Sequence, residues 1–157
     1  MIGNDIVDIQ LAKIECNWRR KGYLNKIFTE KEQIYISNSP DPDIAVWNLW
    51  SRKEAAYKIW NSQTGLRKYN PSKIECHDFE SEIVQVIIEK NIFYTKTLIS
   101  KSYIHTTAAT NLFDLHLIEI IDNSEKNIDY NLFKINKLAI SKSHHGNFEF
   151  VVYLQNP

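Results

Sequence analysis

The amino-acid sequence predicts an α+β fold in a single domain spanning 1–157, with helices packed on an antiparallel sheet. Three observations carry that prediction. Helical periodicity and cap signals dominate up to Gly65, β-prone runs dominate beyond it, and the links between those runs are short enough for hairpins. A chain of 157 residues is also long enough to bury a core of its own.

Residues 2–9, Ile2-Gly3-Asn4-Asp5-Ile6-Val7-Asp8-Ile9, are short and β-branched and read as a strand. Asp is depleted in strands, so Asp5 needs a reason. It faces solvent or nearby backbone N–H groups, or it supplies a hard oxygen ligand for Mg²⁺. Alternation puts Asp5 and Val7 on one face and Asp8 on the other. Residues 10–20 then read as a short amphipathic helix with Leu11, Ile14 and Trp18 on one face. Arg19-Arg20-Lys21-Gly22 closes it, either as cations on the C-terminal dipole or as a surface for an anionic partner. Thr29 with Glu32 forms a capping box, so a second helix starts at about residue 30.

Pro40 and Pro42 separate that helix from the central one. Asp41-Pro42-Asp43 is its start signal, and Asn61 and Gly65 mark its stop. At 100° per residue, Val46, Leu49, Trp50, Ala56, Tyr57 and Trp60 form its buried stripe, while Trp47, Ser51, Glu54 and Lys58 line a neighbouring strip. Glu54 and Lys58 are i,i+4 neighbours, which by itself describes a surface ion pair worth about 0.3–0.5 kcal/mol. Lys53 projects near the middle of the apolar stripe, as a stem lying on apolar surface with its ammonium reaching water.

After Gly65 the texture changes. Asn70-Pro71-Ser72 is a turn, and strands are expected over 73–79, 83–89, 92–99, 102–108 and 112–121. Residues 122–133 are polar and read as a loop or a short helix. Phe148–Leu154 alternates as a last strand. Just before it stands Ser141-Lys142-Ser143-His144-His145-Gly146, whose paired histidines read on their own as a turn with solvated imidazoles.

Nineteen acidic and nineteen basic residues balance, so no global field draws the chain to nucleic acid or membrane, and any anion site must be local. No apolar run approaches the roughly 18 residues of a membrane span. The start, Met1-Ile2-Gly3-Asn4-Asp5, is too polar for a secretory signal. Cys16 and Cys76 sit far apart without CxxC spacing, as expected of reduced thiols in a cytoplasm.

Three pieces stand in a fixed order: Gly3-Asn4-Asp5 in the first strand, Trp50-Ser51-x-Lys53-Glu54-Ala55-x-x-Lys58 in the central helix, and Ser143-His144 before the last strand. This set resembles the 4′-phosphopantetheinyl transferase superfamily, with its G-x-D strand motif and W-x-x-K-E-A/S-x-x-K helix. The small holo-acyl-carrier-protein synthase type is the most similar, because Phe28-Thr29-x-x-Glu32 and the late S-x-S-H segment match it too. Val7 departs from surfactin-type relatives, which place a further acid there. The loop Gln63-Thr64-Gly65-Leu66-Arg67-Lys68 keeps one glycine where the family usually has a glycine-rich turn.

The resemblance implies transfer of phosphopantetheine from coenzyme A to a serine of an apo carrier protein, releasing 3′,5′-ADP. It implies Asp5 and Glu54 as ligands of a Mg²⁺, with Mn²⁺ as a substitute, and Lys58 as the group that meets charge on the leaving phosphate. The serine proton goes to Glu54 or to a metal-bound water. Lys53, Lys58, Ser143 and His144 are the implied coenzyme A contacts, Lys53 as a phosphate contact or as support of the site, with Arg52 and Lys68 as weaker ones and Asp8 in support. A homotrimer is implied by the shorter type. The alternative is a non-catalytic binder of coenzyme A or carrier protein on the same scaffold.

Overall fold

The computed structural model describes residues 1–126, 129 and 139–154. The chain enters as strand β1 (Ile2–Asp8), then runs through helices α1 (Ile9–Glu15), α2 (Tyr23–Ile27), α3 (Glu30–Asn38) and the long α4 (Pro42–Thr64). The ends of α4 are where their flanks dictate. The Asp41 carboxylate accepts from the Ile44 N–H, and Gly65, at a φ of 70°, takes the left-handed position that closes the helix. At the start of α3 the expected box is closed in both directions: the Glu32 N–H donates to Thr29 Oγ1 (3.3 Å), and the Thr29 N–H donates to Glu32 Oε2 (2.8 Å).

Beyond α4 come β2 (Ile74–His77), β3 (Ile83–Ile88), β4 (Asn91–Ile99) and β5 (Tyr103–Ala109). With β1 they form an antiparallel sheet in the order β1-β5-β4-β3-β2. A second antiparallel sheet, β6-β8-β7, is built from β6 (Ile118–Asp122), β7 (Ile140–His145) and β8 (Phe148–Leu154). Val46, Leu49, Ile59 and Trp60 of α4 share one core with Val84, Val86, Phe93 and Ile104 of the larger sheet. Burial of each such side chain is worth about 1.5–3 kcal/mol. Ile36 of α3 and Ile27 of α2 join the same core, so α4 is buried on most of its circumference, Ser51, Arg52 and Lys53 included. A smaller cluster of Ile2, Ala109, Leu115 and Val152 joins the two sheets.

The glycine of the G-x-D motif has a packing reason. A Cβ on Gly3 would overlap the Ala55 carbonyl oxygen, so only glycine lets β1 and α4 approach this closely.

Several expectations from the sequence need correction. Helix α1 stops at Glu15, and Asp8 starts it by accepting from the Gln10 and Leu11 N–H groups. Its buried residues are Ile9 and Ala12, whereas Ile14 is 82% exposed. Trp18 is buried, but it is reached by the turn after the helix, not by helical phase. Arg19, Arg20 and Lys21 therefore lie outside the last turn of α1 and do not cap it. Residues 112–116 are a helix, α5 (Leu112–His116), because the Asn111 side chain accepts from the Asp114 N–H (2.7 Å); the strand begins only at Ile118. The segment read as a turn, Ser141–His145, is part of strand β7. The loop or short helix expected over 122–133 lies largely outside the described residues; Asp122 ends β6 and Asn123–Lys126 turns away from it.

Candidate active site

Strand β1 and helix α4 bring together the carboxylates and one of the lysines singled out in the sequence. Asp5 sits in the middle of β1, and Glu54 and Lys58 lie one turn apart on the α4 face that meets it. Lys58 Nζ donates to the Asn4 carbonyl (2.6 Å) and stands 3.5 Å from Asp5 Oδ1. Ser51 Oγ donates to the Asp5 carbonyl at 3.4 Å. Asp5 and Glu54 line a cleft of about 260 Å³ together with Trp47, Trp50, His144 and His145.

The electrostatics of this pair are unusual. Burial raises the Asp5 carboxyl above the ordinary carboxylate range, against the pull of Lys58. Burial also raises Glu54, and the Asp5 charge raises it further. Two desolvated carboxylates in one cleft, with a single ammonium beside them, leave negative charge uncompensated. Among the described residues no group of three or more His, Cys, Asp or Glu could hold a metal ion. The donor set is thus two hard oxygen groups in an open cleft. That suits Mg²⁺, which keeps several waters and takes one or two carboxylates, and does not suit Zn²⁺.

Other predicted residues lie elsewhere. Lys53 is fully buried on another side of α4. Its ammonium donates to Glu32 Oε2 (2.6 Å), the Pro71 carbonyl (2.9 Å) and the Ile27 carbonyl (3.0 Å), and sits 5.1 Å from the Phe28 ring. With three acceptors and no exposure its ammonium reaches neither water nor a phosphate, which corrects those two readings and leaves it supporting α4 from beneath. Arg52 is buried as well, donating to Thr95 and Asn48; burial lowers its guanidinium to about 10. Lys68 is exposed beside a second cleft, with Tyr57 and Trp60. Of the late motif, His144 is exposed at the cleft, but Ser143 is buried and its Oγ accepts from the Ile6 N–H (2.8 Å). His145 is not a solvated turn residue: its Nδ1 accepts from the Asp8 N–H (2.8 Å). Asp8 caps α1, and its other oxygen accepts from the Asn147 N–H (3.3 Å), a supporting role.

Sequence reasoning missed Tyr69. Its ring packs against Tyr57 (centroids 4.7 Å apart) and edge-on against Trp50 (5.9 Å). Its hydroxyl is buried beside Glu54, without closing a hydrogen bond to any described residue. Burial first, then the Glu54 charge, keeps the phenol protonated as a donor. The only signal was one aromatic residue in a polar loop.

Comparison with known proteins follows the same lines. The model of the 4′-phosphopantetheinyl transferase superfamily matches residues 1–110. A holo-[acyl-carrier-protein] synthase of Protochlamydia amoebophila (strain UWE25) is 39% identical over 59 residues, 36% of this chain and 47% of that protein. The match thus spans about half the length of that relative. Among solved structures, the apo-ACPS of Chronobacterium ammoiniagenes superposes with a TM-score of 0.55 at 16% identity, over 69% of this chain and 93% of that one. The holo-[acyl-carrier-protein] synthase of Thermotoga maritima gives 0.52 at 11% identity, over 99% and 83%. At these identities the structural likeness is one of fold.

Proposed function

The chain belongs to the 4′-phosphopantetheinyl transferase superfamily, and from that premise we propose that it moves the 4′-phosphopantetheine group of coenzyme A onto a serine of an apo acyl carrier protein, releasing 3′,5′-ADP. The observation that carries the reading is that a strand and a helix bring Asp5 and Glu54 to one cleft, with the Lys58 ammonium 3.5 Å from Asp5. Asp5 and Glu54 would hold a Mg²⁺, or a Mn²⁺ in its place, which supplies positive charge to the pyrophosphate when bound.

The rest of the chemistry belongs to the chain. Lys58 is about one-third exposed, and its ammonium neutralises charge as it builds on the leaving phosphate. Glu54, which faces the cleft, takes the proton of the attacking serine. The Tyr69 phenol, buried beside Glu54 and kept protonated, stands ready to donate there. Trp47 and Trp50 restrict water there. His144 meets the nucleotide end of coenzyme A from the cleft mouth. The phosphate contact expected of Lys53 is not part of this reading.

Arg20 and Lys21 are exposed beside Arg19, which is held by Asp43 (2.8 and 3.2 Å) and lies over Trp18. This patch suits the acidic surface of a carrier protein. A homotrimer fits the exposed Ile92, Leu98 and Phe113, and the cytoplasm fits two free cysteines. Among the described residues no helix is long and apolar enough to cross a membrane.

Intact mass spectrometry of an apo acyl carrier protein, incubated with this protein, coenzyme A and Mg²⁺, tests the reading. The expected result is a gain of one phosphopantetheinyl group, abolished by EDTA and by Glu54→Gln, which keeps the shape and loses the charge. Coenzyme A binding without transfer to any of several carriers would leave only a binding module.

A further inference from the structure

Strand β1 is an edge strand of its sheet, paired on one side with β5. On its other side the N–H groups of Asn4, Ile6 and Asp8 point away from β5, as every second amide of an antiparallel strand must. A buried amide left unpaired is destabilising. Strand β7 runs alongside, but its backbone pairs with β8. It meets β1 with side chains. Ser141 Oγ accepts from the Asn4 N–H (3.1 Å), Ser143 Oγ from the Ile6 N–H (2.8 Å) and His145 Nδ1 from the Asp8 N–H (2.8 Å). The partners are always 137 positions apart, so the two strands run in the same direction and their period-2 alternations stay in step.

The rungs at Asn4 and Ile6 bracket Asp5. Ser141 Oγ also donates to Asn4 Oδ1 (2.8 Å), which fixes the hydroxyl's orientation. Helix α4 holds the neighbouring carbonyls, with Lys58 on that of Asn4 and Ser51 on that of Asp5. The backbone that carries Asp5 is thus held by both β7 and α4.

We propose that Ser141, Ser143 and His145 are positioning residues, which fix the Asp5 carboxylate opposite Glu54 through the backbone of β1. The proposal rests on the metal-dependent reading above. It gives the late Ser-x-Ser-x-His pattern a task without any contact to substrate. His144, on the opposite face of β7, is left to the cleft.

The test measures Mn²⁺ affinity by electron paramagnetic resonance, together with amide hydrogen exchange of β1 and the KM for coenzyme A. The proteins are the full chain and its Ser143→Ala, Ser143→Thr, His145→Ala and His145→Asn variants. Ser143→Ala and His145→Ala should speed exchange at Ile6 and Asp8 and weaken Mn²⁺ binding by about 10-fold or more, the usual effect of losing an outer partner of a metal ligand. In the Ser143 variants, whose side chain is buried and does not line the cleft, the KM for coenzyme A should stay within about twofold of wild type. Ser143→Thr and His145→Asn keep an acceptor and should restore Mn²⁺ binding. Ile36→Val, which loosens the core away from β7, should leave it unchanged and so separates positioning from general stability. If exchange quickens while Mn²⁺ affinity stays at the wild-type value, the ladder is only structural and the proposal falls. The proposal also falls if Ile36→Val weakens Mn²⁺ as much as Ser143→Ala does. A wild-type protein that neither binds Mn²⁺ nor modifies a carrier would instead overturn the transferase reading, and the positioning role with it.

Discussion

Lys53 and Glu32 are both fully buried, and the contacts of Glu32 explain why the pair survives there. Glu32 Oε2 accepts from Lys53 and from the Thr29 N–H, and Oε1 accepts from the Cys76 N–H at 2.9 Å. One carboxylate therefore ties α3, α4 and β2 together. Removing one member of such a pair leaves a buried charge without its partner, so Lys53→Met should cost about 3–5 kcal/mol. Urea unfolding of that variant measures the loss, and adding Glu32→Gln should recover part of it. A loss under 1 kcal/mol would mean that Glu32 finds another cation. Helical phase had already placed Lys53 in the middle of the apolar stripe. What no local pattern contains is its partner 21 residues away, so its stem was given to water or to phosphate. By spacing alone Glu54 and Lys58 read as a surface ion pair; their place beside Asp5 is legible only through the resemblance of the W-x-x-K-E-A-x-x-K helix.

At the scale of elements, the legible parts are those whose ends are written locally. The Asp41 cap and the Gly65 stop bound α4, and the Thr29/Glu32 box starts α3. Strand β7 was hidden because its alternation is of serine and histidine against lysine and histidine, which lacks the apolar face that marks a strand. Its small hydroxyl side chains make sense only beside an edge strand from the other end of the chain. The five-residue α5 was hidden because Leu112-Phe113-Asp114-Leu115 suits either period. The close crossing of β1 and α4 leads to a prediction at this scale. In Gly3→Ala the new Cβ meets the rigid Ala55 carbonyl, so the elements must move apart. That should cost about 1–3 kcal/mol, the usual range for overpacking. It should also lower turnover, because Asp5 rides on β1 and Glu54 on α4. Thermal unfolding and the carrier assay together check it; unchanged melting and activity would show that β1 can shift at no cost.

At the scale of the whole molecule, the two sheets meet at His105. Its ring is buried on β5 and stacks on Phe150 of β8, with centroids 4.6 Å apart. Asn4 of β1 lies between the sheets: its Nδ2 donates to the Phe150 carbonyl (3.2 Å) and stands 3.2 Å from His105 Nε2. The carbonyl fixes the amide as donor, so His105 Nε2 must accept and the ring must be neutral. Burial first, then the Lys58 charge, lowers its pKa to about 4. In the unfolded chain the imidazole titrates near 6.5. The stabilisation is therefore complete above pH 6.5 and is lost as pH falls through about 4, because the unfolded chain takes up the proton first. Over that window the group should contribute up to about 3 kcal/mol of acid sensitivity. The carboxyls of Asp43 and Glu149 are lowered, so they act with the same sign at the acid end of this window, where their unfolded forms take up protons. Asp5 and Glu54 act with the opposite sign, since a raised carboxyl favours the folded state at low pH. The quantity to measure is the difference in urea-unfolding free energy between wild type and His105→Gln, from pH 4 to pH 7, in which the carboxylate contributions cancel. That difference should grow steadily more favourable to wild type as pH rises to about 6.5 and then level off. A difference independent of pH would show that the imidazole keeps its unfolded pKa between the sheets, and one that shrinks as pH rises would show that it is protonated in the folded protein.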